Sequence, residues 1–150
     1  MNNKESGAVM LEIFRATERR DIPRLVELCH ADVESHWPPS LPYGGTAHGV
    51  GGKHPTWIET WAPLQPTEAE RRMDPRVVAA SEAEVVVLWQ QRGCSQAGDR
   101  FEDPVLGLYQ VREGKLARAQ MFYFDAAALI GFLARATTQA IGSSRDEPTG

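Results

Sequence analysis

The residues of this chain best suited to proton transfer bracket one stretch, FEDPVLGLYQVREGKLARAQMFYFD, from Phe101 to Asp125. Glu102 and Asp103 open it and Asp125 closes it. A carboxyl group in an apolar pocket has a raised pKa and can act as a general acid or base. Strand alternation sends Glu102 and Asp103 to opposite sides, so at most one of them faces an interior. Asp125 stands directly before Ala-Ala-Ala-Leu-Ile, a helix start. An aspartate there is expected to cap the helix by accepting the amide of Ala127 or Ala128. Imidazole has an ordinary pKa near neutrality, which makes the four histidines, His30, His36, His48 and His54, possible proton shuttles. They form no HxH, HExxH or two-histidine-plus-carboxylate pattern, so no metal site is expected. Ser40 and Ser95 lack a GxSxG elbow, and GGTAHGVGG lacks the GxxxxGK[ST] order of a phosphate loop. Chemistry without a cofactor is the expectation.

Helices come first and strands later. Val9, Met10, Ile13 and Phe14 recur at helical spacing over 7–19. Asp21 is placed to cap a second helix, with Pro23 in its first turn and Leu25, Val26 and Leu28 as its apolar face. Val33 to Trp37 reads as a short strand ended by Pro38 and Pro39. Prolines and glycines crowd residues 38–52, which predicts an irregular loop. His54 to Trp61 suits a third helix with Trp57 and Trp61 on one face. Arg76 to Ala80 and Glu84 to Arg92 are strand-like around SEAE. Phe101 to Val111 and Leu116 to Phe124 form a hairpin about Arg112-Glu113-Gly114-Lys115, where Gly114 accepts a positive φ. A last helix follows from about Ala126 to Ala136. This order is α+β: a curved sheet wrapped around helices, leaving a cone open at one end.

Composition narrows the partners. At 150 residues, one domain over 1–141 with a disordered tail over 142–150 is expected. A net charge of −4 has the wrong sign for nucleic acid or an acidic membrane surface. No apolar run approaches the ~20 residues of a membrane span, and the N-terminus does not read as a signal peptide. Cys29 and Cys94 form no CxxC pair, and free thiols in the cytoplasm are the simple reading.

Leu28 with Ala31-Asp32-Val33, Pro38-Pro39 with Tyr43-Gly44, LGLYQVREGKL at 106–116 and YFD at 123–125 occur in an order and spacing that resembles the SnoaL-like family. That family belongs to the nuclear-transport-factor-2-like superfamily, beside ketosteroid isomerases and limonene-type epoxide hydrolases. The resemblance covers roughly residues 8–135. It implies a cone-shaped barrel with an apolar pocket, usually dimeric. The known catalytic sets do not carry over. The isomerase base falls on Trp37 and its acidic oxyanion donor near Gly107. The hydrolase positions fall on Ser35, Trp37, Leu88, Gln90 and Phe122.

If the matched positions face the cavity, alternation turns Ser35 and Trp37 inward, with Leu88, Gln90 and Arg92, and with Arg118, Gln120, Phe122 and Phe124. Asp103, Val105 and Gly107 form the inward set on the hairpin's first strand. Asp103 is then the expected proton-transferring group, within reach of Arg92 or Gln90, with Gln90 and His36 as further catalytic candidates. His36 turns inward only if the Pro38-Pro39 bend rotates it. Trp37, Tyr43, Trp57, Trp61, Leu88, Arg92, Val105, Gln120, Phe122 and Phe124 are the expected substrate contacts. Trp89, Gln91, Met121 and Tyr123 would form the outer, dimer-forming face. The expected activity is cyclisation or isomerisation of a small, largely apolar, polyketide-like intermediate. A binding protein and a hydrolase with altered residues are the alternatives.

Overall fold

The computed structural model describes residues 2–50 and 62–145. The expected helix over His54–Trp61, with Trp57 and Trp61, lies outside the described residues. The chain begins with α1 (Asn3–Arg19), where the Asn2 side chain accepts the Glu5 amide and Glu5 reaches back to the Asn2 amide, a reciprocal cap. α2 (Ile22–Leu28) starts at Asp21, whose Oδ1 accepts the Arg24 amide, with Pro23 in the first turn. Leu28 is buried, whereas Val26 is half exposed, so the apolar face of α2 is narrower than expected.

The strands are β1 (Cys29–Trp37), β2 (Gly45–His48), β3 (Arg76–Ala80), β4 (Glu84–Cys94), β5 (Arg100–Arg112) and β6 (Lys115–Tyr123). β2 corrects the expected loop, because part of it folds back on β1 and pairs Trp37 with Gly45 and Glu34 with His48. A short α3 (Glu68–Arg71) precedes β3, and α4 (Ala126–Arg145) closes the chain, extending past the expected end near Ala136. The six strands form one curved sheet in the order β2-β1-β6-β5-β4-β3. β1 runs parallel to β6, and every other neighbour is antiparallel. Glu113 (φ 55°) and Gly114 (φ 76°) are both left-handed in the β5–β6 turn, the backbone that matches strand twist in a two-residue hairpin loop.

One face of the sheet is covered. Val85, Val87, Trp89 and Gln91 on β4 and Val105, Tyr109 and Val111 on β5 are buried, as are Leu116, Ala119 and Met121 on β6. They meet Met10, Ile13 and Phe14 of α1 in the larger core. A second cluster of Leu41, Tyr43, Leu64, Leu129, Phe132 and Leu133 lies under α4, with Trp37 and Tyr123 packing against both clusters. Removing a large side chain of this kind from water stabilises by about 1.5–3 kcal/mol, so Met10 and Leu129, each 0% exposed, are among the strongest contributors.

Asp125 is the cap that the sequence predicts. Its Oδ1 accepts the Ala128 amide at 3.0 Å, and its own amide donates to Asp103 Oδ2 at 3.0 Å. Asp125→Asn should melt close to the parent, because asparagine caps about equally well, and Asp125→Ala should lose about 1 kcal/mol. Urea unfolding of the two variants measures the difference; equal loss in both would mean that the carboxylate charge, not the cap, is what matters.

Candidate functional site

A cavity of about 500 Å³ lies between α1, α2 and the covered face of the sheet. Its wall is mostly apolar and aromatic: Met10, Ile13 and Phe14 from α1, Trp37 from β1, and Trp89, Tyr109 and Met121 from the central strands. Phe14 organises this wall, tilted against Trp89 at 6.0 Å and edge-on to Tyr109 at 5.9 Å between ring centres. The polar residues are few: Thr17, Arg20, Ser35 and Gln65, beside the amphipathic Trp89 and Tyr109. No carboxylate or histidine lines the cavity among the described residues.

Ladder geometry explains which expected residues reach this wall. Residues paired across an antiparallel ladder share a face. Trp89 and Tyr123 both pair with Val105, and Val87 and Met121 both pair with Gly107. Once Val105 and Gly107 face inward, as expected, Trp89, Val87, Met121 and Tyr123 must do so too. The expected phase on β4 and β6 was therefore inverted. Leu88, Gln90, Arg92, Gln120 and Phe122 belong to the other face, and Phe122 is 50% exposed. Phe124 lies past the end of β6 and is 81% exposed. Arg118 is also turned from the cavity, near Glu34 at 3.9 Å. Trp89, Gln91 and Met121, expected on a dimer face, are buried inside.

Asp103 alternates with Val105 as expected, but it sits near the start of β5, outside the cavity wall, where its carboxylate braces the turn into α4. Arg92 pairs with Asp74 at 2.8 Å and Glu102 at 3.2 Å rather than with Asp103. His36 faces away from Ser35 and Trp37: its Nε2 meets Glu34 at 3.0 Å and its Nδ1 meets the Thr46 hydroxyl at 3.0 Å. The bond to His36 holds the Glu34 carboxyl below its usual range. Tyr43 stands behind Trp37, edge-on at 6.2 Å, and its hydroxyl donates to that of Tyr123 at 2.7 Å. Val105 is buried core, and Trp37 lines the cavity.

Sequence reasoning missed Tyr109 and Trp89. The Tyr109 ring folds back over Gly107, filling the space that a Cβ there would need. The missing side chain at Gly107 is thus occupied by a phenol two residues on. A glycine one turn of the pleat from a tyrosine is the signal that points to this arrangement. Burial pushes the Tyr109 hydroxyl well above its usual pKa, so it stays a donor. The Trp89 indole N–H is buried with no acceptor among the described residues. Gln91 is fully buried with neither amide atom bonded among the described residues.

A model of the SnoaL-like domain matches residues 10–119. No curated protein matches the chain significantly. Solved structures similar to it include an NTF2-like protein from Burkholderia xenovorans LB400, at 24% identity and a TM-score of 0.67, covering 91% of this chain and 98% of that one. TerC co-crystallised with polyporic acid matches at 20% identity and a TM-score of 0.65, over 87% of this chain and 98% of that one. A candidate SnoaL-like polyketide cyclase from Jannaschia sp. CCS1 matches at 13% identity and a TM-score of 0.66, over 85% and 90%. At these identities the likeness concerns the fold.

The buried acids set an alkaline limit. Burial pushes the Cys29 thiol from 9.0 up to about 11, and raises the phenols of Tyr43, Tyr109 and Tyr123. The folded chain then keeps protons that the unfolded chain releases, so stability present below pH 9 is lost as pH rises through 11. The melting temperature should fall steadily across that window, and iodoacetamide at pH 8 should leave Cys29 unmodified in the native protein. A flat melting profile or rapid Cys29 labelling would contradict this.

Proposed function

Because the chain belongs to the SnoaL-like domain family, we propose that it is a cofactor-independent cyclase or isomerase acting on a small, largely apolar, polyketide-like intermediate. The observation that carries this reading is the Tyr109 phenol, held protonated by burial, in the wall of an aromatic cavity. A ketone oxygen set against its O–H gains negative charge as a proton leaves the neighbouring carbon for water. Fixed donors in a low-dielectric site stabilise that charge without reorganising, typically by 10²–10³-fold per donor. The enolate carbon then attacks a second carbonyl of the same molecule, closing a ring, or is reprotonated elsewhere, shifting a double bond. Trp37, Phe14 and Trp89 offer ring faces to a flat substrate. The neighbour co-crystallised with polyporic acid and the candidate polyketide cyclase support reading such a cavity as a small-molecule site.

Exchange of the α-hydrogens of 2-tetralone in D₂O, followed by NMR, tests the chemistry. The protein should accelerate exchange, and Tyr109→Phe should lose ~10²–10³-fold of that acceleration with probe affinity kept. Equal rates in both proteins would remove the proposal. A second reading, a ligand-binding protein, is favoured by the lack of a carboxylate or histidine among the described cavity residues. It predicts tight binding of the probe without any acceleration.

The homodimer is proposed on the other face of the sheet, where Leu88, Leu106 and Phe122 stand opposite one another across three strands. Leu106 is 40% and Phe122 50% exposed, a run of apolar surface that a second copy would cover. Phe122→Glu should convert a dimer to a monomer by light scattering; a parent that is already monomeric at micromolar concentration would refute the pairing.

A further inference from the structure

The polar end of the cavity lies where α1 stops. Arg20 ends that helix at φ 57° and Gln65 stands at φ 54°, the left-handed region that glycine or asparagine normally takes at such a point. Two long side chains held in strained backbone are then bonded to each other: Arg20 Nη2 donates to Gln65 Oε1 at 2.8 Å. Both line the cavity. Gln65 is 2% exposed, yet its Nε2 has no acceptor among the described residues.

The charge of Arg20 is equally unanswered. Its Nη1 donates to the Thr17 carbonyl at 2.8 Å, and no carboxylate pairs with it among the described residues. A second guanidinium stands nearby, with Arg71 Nε donating to the Gln65 carbonyl oxygen at 3.2 Å. Burial first, and then Arg71, disfavours the charged form of Arg20. A half-buried cation beside another cation, bordering an apolar cavity, is a costly arrangement unless an anion joins it.

We propose that the ligand of this cavity is an apolar ring compound carrying an ionised acid group, a carboxylate or an acidic enol oxygen, held by the Arg20 guanidinium, which Gln65 Oε1 orients. The inference rests on reading the cavity as the substrate site. The anion anchors one end of the ligand at the end of α1, and the ring body extends along the aromatic wall. Recognition of this kind disfavours neutral analogues of the same shape, because they leave the guanidinium desolvated and unpaired.

Two fluorescent probes with one ring body separate charge from shape: 8-anilino-1-naphthalenesulfonate, which is anionic, and N-phenyl-1-naphthylamine, which is neutral. The full chain at low salt should bind the anion ~10–100-fold more tightly than the neutral probe, the range of a charge-assisted hydrogen bond. Arg20→Gln should abolish that preference while keeping affinity for the neutral probe, and Arg20→Lys should keep much of it. Gln65→Glu, which sets a carboxylate against Arg20, should remove the preference with the guanidinium still present. Equal binding of both probes by the parent, or a preference untouched in Arg20→Gln, overturns the anion site and leaves the cavity reading standing. Binding of neither probe overturns both. Displacement of the anionic probe by 1-naphthoate or by 2-hydroxy-1,4-naphthoquinone supports the carboxylate or the enol form respectively, and displacement by neither overturns the proposal.

Discussion

The ladder joining β4, β5 and β6 decides where every functional side chain points. Val105 stands between Trp89 and Tyr123, and Gly107 between Val87 and Met121. Opposed residues share a face, so the orientation of one strand dictates the other two. With alternation along each strand, this leaves one degree of freedom for the whole central sheet. The hydrophobic contacts to Met10, Ile13 and Phe14 fix it, because a one-residue slip would put Val85, Val87 and Trp89 into water. The cavity, its aromatic wall and the exposed Leu106–Phe122 surface all follow from that choice.

Within that frame the site concentrates its cost in a few places. Gly107 gives up a side chain so that Tyr109 can lie across it. Trp89 and Gln91 bury polar atoms without partners among the described residues, and Arg20 and Gln65 hold unfavourable backbone. Each departs from the rules that the rest of the fold obeys, and most sit around one cavity. Strain and unsatisfied polarity gathered in this way are tolerated where a ligand makes use of them.

Much of the architecture was legible in the sequence, since it depends on local signals. The helical spacing in α1, the caps at Asp21 and Asp125 and the Glu113-Gly114 turn are each written in a few neighbouring residues. β2 was hidden because Gly45 to His48 holds a single branched residue, Thr46, and pairs only with β1. The site was harder to read, because facing is a property of paired strands. Position-by-position carry-over of a catalytic set assigned β1 and β5 correctly and gave β4 and β6 the opposite phase, an inconsistency that the ladder does not permit. The attention drawn by carboxylates also misdirected the reading, since Asp103 and Asp125 brace the junction of β5 and α4.

The parallel pairing of β1 with β6 bears on how the molecule is made. Ser35 lies beside Ala119, about 84 residues further along the chain, and no short connection can bring them together early. The hairpins β3–β4, β4–β5 and β5–β6 close over short loops, so contact order favours their forming before β1 pairs with the last strand. Until α1, α2 and β1 dock, the face bearing Trp89, Tyr109 and Met121 is open to water and to neighbouring chains. On the ribosome, the N-terminal helices emerge long before the surface that they will cover. The risk of such a topology is aggregation during synthesis, and the docking of β1 onto β6 is the step that ends it.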